Sequence, residues 1–259
     1  MRATLITGAT GGLGRAFCFA LAKETLLLTG RSEEKLICLR EELLQNNPNA
    51  TVFFYACRLD REEERARFYD FIERESFTFS KLVLVAGADI QKELSAYTEE
   101  KLLFQTRINF EANASLLRFC FARREADFSV LGISSVSGIY PMPYFALYSA
   151  TKSAFTSLLE ALSVEWKGKA RVTAVLPGAM PTREDVQENI KTQGLWGKLA
   201  VKSPEWVASA SLKALKRGKR KYIPGFWNNV MNAFTKLIPM SFKLKFIARR
   251  WSKTTKDAF

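Results

Sequence analysis

Residues 2–14, RATLITGATGGLG, place a short apolar run directly before a glycine-rich turn and the start of a helical pattern. The glycines at 8, 11, 12 and 14 let the backbone turn tightly and approach a pyrophosphate. The following helix N-terminus offers free N–H groups and the positive end of its dipole. A glycine cluster alone is often only a turn, but one between a strand and a helix predicts a dinucleotide-binding unit.

Downstream, short apolar runs alternate with longer helical patterns. We predict strands at 2–6, 25–30, 51–56, 81–86, 128–134, 170–176 and 220–223, and helices at 12–23, 33–46, 61–75, 98–123, 145–167 and 203–216. The central strands are almost continuously apolar, which is typical of parallel strands covered on both faces. The alternation predicts a doubly wound parallel sheet. Segment 178–200 has no strong period and is expected to be a mobile loop over a ligand.

The composition narrows the chemistry. A chain of 259 residues suits one α/β domain, and it contains no histidine. This excludes Ser-His-Asp and Cys-His catalysis, so acid–base work falls to Asp, Glu, Tyr, Lys or Cys. The four cysteines are scattered without CxxC spacing and are expected to be small buried residues in a reducing compartment: Cys18, Cys38, Cys57 and Cys120.

The start of the chain enters a strand-like run at once, so we expect no signal peptide, and no run of 18 apolar residues exists. A cytoplasmic location is therefore expected.

The net charge of +13 is concentrated in the last segment, where eleven basic residues from Arg217 onward accompany a single acid, Asp257. Apolar residues follow a near-helical spacing up to Pro239, and a second segment then mixes aromatic with basic residues: Phe226, Trp227, Val230, Met231, Phe234, Leu237 and Ile238, then Phe242, Leu244, Phe246, Ile247 and Trp251. Residues 226–259 are thus expected to be a basic amphipathic extension of a domain formed by 1–225. It could contact an anionic membrane peripherally, or pack on this subunit or its twin as a lid over the substrate. Nucleic-acid binding is a third option, and no recognition motif supports it.

The pattern Tyr-x-x-x-Lys occurs twice, at Tyr97–Lys101 and at Tyr148–Lys152. Thirteen residues before the second copy lies Ser135, at the end of a predicted strand, whereas Leu84 holds that place for the first copy. We expect the first copy to be an exposed helix start. In the second, the i, i+4 spacing puts both side chains on one helix face, where an ammonium lowers a tyrosine pKa from about 10.

The end of the second predicted strand bears on cofactor choice. An NAD site needs a carboxylate there for the ribose 2′-hydroxyl, but the sequence has Gly30, Arg31 and Ser32. Arg31 and Arg15 are the groups that could bind a 2′-phosphate. These residues favour NADP(H) over NAD(H).

The glycine turn resembles the TGxxxGxG signature of the short-chain dehydrogenase/reductase family, and also fits the TGxxGxxG variant of its extended branch. Asn109, Ser135, Tyr148 and Lys152 fall at the places of the family's catalytic tetrad. The resemblance implies that Tyr148 is the general acid, Ser135 orients the carbonyl and Lys152 holds the nicotinamide ribose. It also implies that Asn109 positions a water.

The resemblance covers about residues 3–225. Residues 177–182, PGAMPT, resemble the PGxxxT motif beside the nicotinamide, and Asp60 resembles the acid that meets the adenine. Ser–Tyr spacing, PGxxxT and length favour the single-domain branch. One departure is LVAG at 84–87, where the family has NNAG, whose asparagines brace the sheet. The implied cofactor contacts are Thr7, Gly8, Thr10, Gly11, Gly12, Leu13, Gly14, Arg15, Arg31, Ser32, Asp60, Ala86, Gly87, Tyr148, Lys152, Pro177, Gly178 and Thr182.

Together these features predict an α/β, Rossmann-type doubly wound parallel sheet with helices on both faces and a C-terminal helical extension. The expected function is hydride transfer between NADP(H) and a lipophilic carbonyl/alcohol pair, 3-oxoacyl-like or a long-chain ketone, in a homo-oligomer (dimer or tetramer). The alternatives are a catalytically idle, NADP(H)-sensing interaction protein and a nucleotide-sugar epimerase of the extended branch.

Overall fold

Seven parallel strands form one sheet in the order β3-β2-β1-β4-β5-β6-β7. The computed structural model describes residues 1–178, 180 and 201–252. The strands are β1 (Arg2–Thr7), β2 (Leu26–Gly30), β3 (Val52–Ala56), β4 (Thr78–Leu84), β5 (Arg124–Ile133), β6 (Arg171–Val175) and β7 (Lys221–Tyr222). The helices are α1 (Gly12–Ala20), α2 (Glu33–Asn46), α3 (Glu62–Arg74), α4 (Glu99–Thr106), α5 (Ala112–Ala122), α6 (Ala146–Glu165), α7 (Pro204–Lys216), α8 (Phe226–Lys236) and α9 (Met240–Trp251).

Neighbouring residues of each central strand point to opposite faces of the sheet, as the two-residue period of a strand requires. In β1, Leu5 packs with α3, α5 and α6 on one face, and Ile6 packs with α1, α2 and α7 on the other. Both faces are thus covered, which explains the continuous apolar runs and confirms the predicted doubly wound sheet.

The strand order reverses at β1, which pairs with β2 on one side and β4 on the other. A cleft opens at the carboxyl ends of the strands at such a point, and ligands bind there in folds of this kind. The glycine turn after β1 therefore lies at the edge where function is expected.

Several element boundaries differ from the sequence predictions: β4 begins at Thr78 where 81 was predicted, and α1 ends at Ala20 where 23 was predicted. β5 begins at Arg124, before the predicted 128. The single helix predicted at 98–123 is divided by a π-helical turn, Arg107–Glu111, which separates α4 from α5. Apolar periodicity continues through such an insertion, so the sequence pattern did not reveal it.

All four cysteines are free thiols. Cys18, Cys57 and Cys120 are buried, as predicted, and burial raises the pKa of the first two to about 12. The prediction is wrong for Cys38, which is exposed on α2.

The C-terminal extension forms the two helices α8 and α9, separated at Pro239 as the sequence pattern indicates. Asn229 ties α8 to the domain by donating to the Ile223 carbonyl at 2.7 Å, and Ile247 of α9 is buried. Among the described helices, none is long and apolar enough to cross a membrane. Residues 253–259 of the predicted extension lie outside the described part of the chain.

Candidate active site

The glycine turn brings backbone against backbone at the carboxyl end of β1. Gly8 has φ +61, and a Cβ there would lie 2.9 Å from the amide nitrogen of Ala86. A Cβ on Gly14 would collide with the Gly8 carbonyl. Within the described chain, no side chain caps the start of α1 at Gly11, and the residues of its first turn, Gly12–Gly14, line the cleft. This cradle fits a pyrophosphate bound to a helix N-terminus.

Thr7 braces the turn from inside the sheet. Its hydroxyl oxygen accepts hydrogen bonds from the amides of Val85 and Ala86, each at 3.1 Å. This joins the ends of β1 and β4, the place where the family motif has asparagines and this chain has LVAG. Thr7 was expected to contact the cofactor, but its hydroxyl is used in the scaffold.

The cleft has a volume of about 650 Å³. Most predicted site residues line it: Gly8, Thr10, Gly11, Gly12, Leu13, Gly14, Arg31, Ala86, Gly87, Ser135, Tyr148, Lys152, Pro177 and Gly178. Sequence reasoning missed further lining residues, among them Lys35, Phe104, Ile108 and Met180. Thr182 and residues 181–200 of the predicted loop lie outside the described residues.

Tyr148 and Lys152 lie on one face of α6, as their spacing predicts. The ammonium nitrogen of Lys152 is 5.8 Å from the centroid of the Tyr148 ring, and it donates to the Ile133 carbonyl at 3.0 Å. Burial lowers the pKa of Lys152 to about 8, and the carboxylate of Asp89 opposes this in part. A buried cation near a phenol favours the phenolate, so the pair suits proton transfer near neutral pH.

The backbone of Lys152 is held by two hydroxyl residues that sequence reasoning did not select. Ser134 donates to the Lys152 carbonyl at 2.9 Å, and Thr156 donates to the Ser134 hydroxyl at 2.7 Å. Thr156 stands at i+4 from Lys152, so the helix period alone could have indicated it. Ser135 caps the short 3₁₀ turn Val136–Gly138 and lines the cleft.

Asn109 lies in the π-helical turn and is fully buried. Its amide oxygen accepts from the Ala88 N–H at 2.7 Å, and its amide nitrogen donates to Thr151 at 3.1 Å. A Cβ on Gly87 would lie 3.0 Å from Asn109 Oδ1 and 3.1 Å from Lys152 Nζ. The turn thus places Asn109 beside the buried Lys152, and hydrogen bonds to the scaffold hold the Asn109 side chain. Single π-helical turns of this kind often occur at functional sites.

An aromatic residue fixes the plane of the Tyr148 ring. Phe145 stacks on it with ring centroids 4.3 Å apart and 19° between the planes. The preceding Tyr144 has φ 61, a left-handed conformation that is strained for a residue with a side chain. This backbone turn starts α6 and directs Phe145 onto Tyr148.

At the far end of the cleft, some of the predicted cofactor contacts line the cleft and others do not. Arg31 lines it together with Lys35, whose amide the Ser32 hydroxyl caps at 3.3 Å. Arg15 does not line the cleft; its guanidinium forms a bidentate pair with Glu42 of α2. A helix-to-helix ion pair thus holds the Arg15 side chain that was expected at the 2′-position.

Asp60 follows β3 and is buried. One carboxylate oxygen accepts from Arg58 at 3.1 Å, and the other has no hydrogen-bond partner among the described residues. A buried acceptor without a partner is costly unless a ligand or water satisfies it. This fits an acid that meets the amino group of a bound adenine.

The other Tyr-x-x-x-Lys copy has a structural role. Tyr97 is half-buried, not exposed as predicted, and its hydroxyl oxygen lies 3.0 Å from the Ile90 carbonyl oxygen and 2.8 Å from Gln105 Oε1, within hydrogen-bond distance of both acceptors. It stands just before α4, at the predicted helix start, and does not line the cleft.

A glycine cradle for a pyrophosphate and a tyrosine–lysine pair line one cleft on a doubly wound sheet, and together they define a dinucleotide-dependent oxidoreductase of the Rossmann type. The family model for short chain dehydrogenase matches residues 2–193. The chain belongs to the short-chain dehydrogenase/reductase family.

Relatives and solved structures agree with this assignment. Tropinone reductase-like 3 of Erythroxylum coca is 24% identical, over 82% of this chain and 85% of its own. The 17-beta-hydroxysteroid dehydrogenase type 3 of Rattus norvegicus is 30% identical, over 66% of this chain and 57% of its own. A solved 7beta-hydroxysteroid dehydrogenase superposes with a TM-score of 0.83 at 22% identity, over 95% of this chain and 96% of its own. A short-chain dehydrogenase from Sphingobium yanoikuyae in complex with NADPH has a TM-score of 0.74 at 23% identity, over 92% and 95%.

Proposed function

We propose that the protein is an NADPH-dependent reductase that converts an apolar carbonyl compound into the alcohol. The observation that carries the proposal is the meeting of Ser135, Tyr148 and Lys152 in the same cleft as the glycine cradle. Hydride transfer needs a nicotinamide near the carbonyl carbon and a proton donor near its oxygen, and this arrangement supplies a place for each.

In the proposed mechanism the glycine turn at Gly8–Gly14 would hold the dinucleotide, which would supply the hydride for the carbonyl carbon. The hydroxyl of Ser135 donates a hydrogen bond to the carbonyl oxygen and orients it. The Tyr148 phenol then gives its proton to that oxygen, and the buried Lys152 ammonium stabilises the phenolate that remains. Stacking of Phe145 keeps the tyrosine ring in place during the transfer.

The cofactor preference rests on the end of β2. Gly30 leaves this position without a carboxylate, and the cations Arg31 and Lys35 line the cleft beside it. A 2′-phosphate carries the negative charge that such a pair binds. The NADPH complex of the Sphingobium yanoikuyae neighbour is in keeping with this preference.

The substrate class follows from the apolar side of the cleft. Phe104, Ile108 and Met180 line it, and Phe145 lies beside the catalytic tyrosine. Such a surface favours a carbonyl carried on a hydrophobic body. The presence of hydroxysteroid dehydrogenases among the relatives and neighbours supports a lipophilic substrate.

Replacement of Tyr148 by phenylalanine tests the proposal. We expect Tyr148→Phe to lower kcat with a panel of ketones graded by chain length by about 10²–10⁴-fold, while NADPH still binds with an unchanged Kd. Tyr97→Phe is the matched control, because it makes the same change in the other Tyr-x-x-x-Lys copy and should keep most of the turnover.

Full activity in Tyr148→Phe would refute the assigned proton donor. Tight NADPH binding by the wild-type protein without turnover of any ketone would instead support the idle, cofactor-sensing alternative. Tightly held NAD after purification would support the epimerase alternative.

A further inference from the structure

Helices α8 and α9 present large apolar side chains to solvent, and we call this surface the C-terminal apolar face. Its most exposed members are Phe226 (73%), Phe234 (60%), Leu237 (81%), Phe242 (68%) and Phe246 (68%). No residue of α8 is buried, and in α9 only Ile247 is. Soluble monomers rarely expose apolar surface of this extent unless it contacts something.

The exposed residues form a stripe on each helix. In α8, Phe226, Val230 and Phe234 follow one another at i and i+4, and in α9 Phe242 and Phe246 have the same spacing. Such a spacing places the side chains on one side of a helix, so that they can be buried together in one apolar environment.

Only positive charge accompanies this apolar surface. The two helices carry Lys236, Lys243, Lys245, Arg249 and Arg250, and residues 221–252 contain no Asp or Glu. None of the five cations forms an ion pair with another described residue. The charges are therefore available to an anionic partner.

The charge decides between two occupants of the face. A second copy of this chain, docked through the same surface, would bring two sets of cations together without a compensating carboxylate on these helices. An anionic lipid surface satisfies both features, because phenylalanines enter the acyl boundary while lysines and arginines meet the headgroups.

The face also adjoins the mouth of the cleft. Trp251 of α9 has its ring centroid 6.4 Å from that of Phe145, the residue that stacks on Tyr148. A Cβ on Gly178, which lines the cleft, would lie 3.1 Å from the Asn228 amide of α8. A surface that holds α8 and α9 would therefore lie close to the substrate opening.

We propose that α8 and α9 dock the protein on an anionic phospholipid surface, with the C-terminal apolar face in the interface. If the proposed function holds, the cleft would then receive its apolar carbonyl substrate from the lipid phase. The docking itself requires no turnover, so it can be measured separately from catalysis.

Co-sedimentation of the full-length protein with vesicles tests the docking. The vesicles are pure phosphatidylcholine or phosphatidylcholine with phosphatidylserine at about two to one. We expect binding to the anionic vesicles, much weaker binding to the neutral ones, and a decrease as salt is raised. Absence of binding to the anionic vesicles would overturn the proposal.

Two substitutions in the face have matched controls elsewhere. Phe246→Ser should lower the partition coefficient on anionic vesicles about ten-fold or more, and Lys245→Glu about five-fold or more. Val164→Ser replaces another exposed apolar residue with serine, and Lys216→Glu makes the same charge reversal, at exposed positions near the C-terminal ends of α6 and α7. Helices that connect parallel strands end at the amino edge of the sheet, away from the cleft, so these controls should bind like wild type.

Equal losses in the variants and their controls would overturn the proposal, because binding would then not depend on this face. Sedimentation velocity can also contradict the docking proposal. It would do so if Phe246→Ser dissociates an oligomer of the protein while the wild type does not bind vesicles. Reduction of a short, water-soluble ketone without vesicles should be the same in Phe246→Ser as in wild type. If neither protein reduces the ketone, the result would count against the proposed function and leave the docking result unaffected.

Discussion

Replacement of Lys152 by methionine should stabilise the protein without cofactor while abolishing its activity. The side chain is buried, and burial lowers the pKa of its ammonium from 10.5 to about 8. At pH 7 the charge therefore costs the folded state about 3 kcal/mol relative to the unfolded chain. Methionine removes that cost and leaves the Ile133 carbonyl without its donor, a loss of about 1 kcal/mol. We expect a net gain of about 2 kcal/mol.

The sign of the pH dependence distinguishes this cause from ordinary repacking. Below pH 8 the lysine is charged in both states, so its cost is complete. Between pH 8 and 10.5 only the unfolded chain still binds the proton, so wild-type stability rises with pH. The advantage of methionine over lysine should therefore fall by about 2.5 kcal/mol between pH 7 and pH 10.

Urea unfolding of both proteins at the two pH values measures this difference. Lys216→Met, at an exposed lysine on α7, is the matched control and should change stability by less than about 0.5 kcal/mol at either pH. Loss of stability in Lys152→Met at pH 7, or an equal gain at both pH values, would show that the buried charge does not strain the fold. Turnover should fall at least about 10²-fold, since the phenolate of Tyr148 loses its cation.

Two other substitutions test the cofactor site and its scaffold. Arg31→Asp should raise the KM for NADPH by about ten-fold or more and lower the KM for NADH. The control Arg15→Ala, which breaks a surface pair with Glu42, should leave the ratio of the two KM values unchanged. Steady-state kinetics with both cofactors measures the ratio, and an equal shift in the two variants would contradict the prediction. Thr7→Val should cost about 1–3 kcal/mol in unfolding free energy, because two half-buried amides just after β4 lose their acceptor, while Thr7→Ser should keep most of the stability. Equal losses in the two Thr7 variants would point to packing as the cause.

Much of the site could be predicted because its residues follow from local rules. The glycine turn is specified by a backbone that leaves no room for a Cβ at Gly8 and Gly14. The Tyr148–Lys152 pair is specified by the helix period. Such features depend on neighbours in the sequence, and the sequence displays them directly.

Other features depend on residues far apart in the chain. Arg15 and Lys35 are equally basic in the sequence, but an ion pair with Glu42 holds the former, and Lys35 alone of the two lines the cleft. The hydroxyl of Thr7 can join the ends of β1 and β4 because these strands are neighbours in the sheet, which the sequence does not state.

The sequence by itself determined the sheet, the glycine turn and the shared helix face of Tyr148 and Lys152, because periodicity and glycine geometry are local properties. Only the tertiary structure decided that Asn109 and Lys152 meet at Gly87, that the Tyr97 copy of the tyrosine motif is scaffold, and that the last helices leave their phenylalanines exposed. These outcomes depend on which side chains stay exposed after the elements pack together, and packing brings together residues that lie far apart in the sequence.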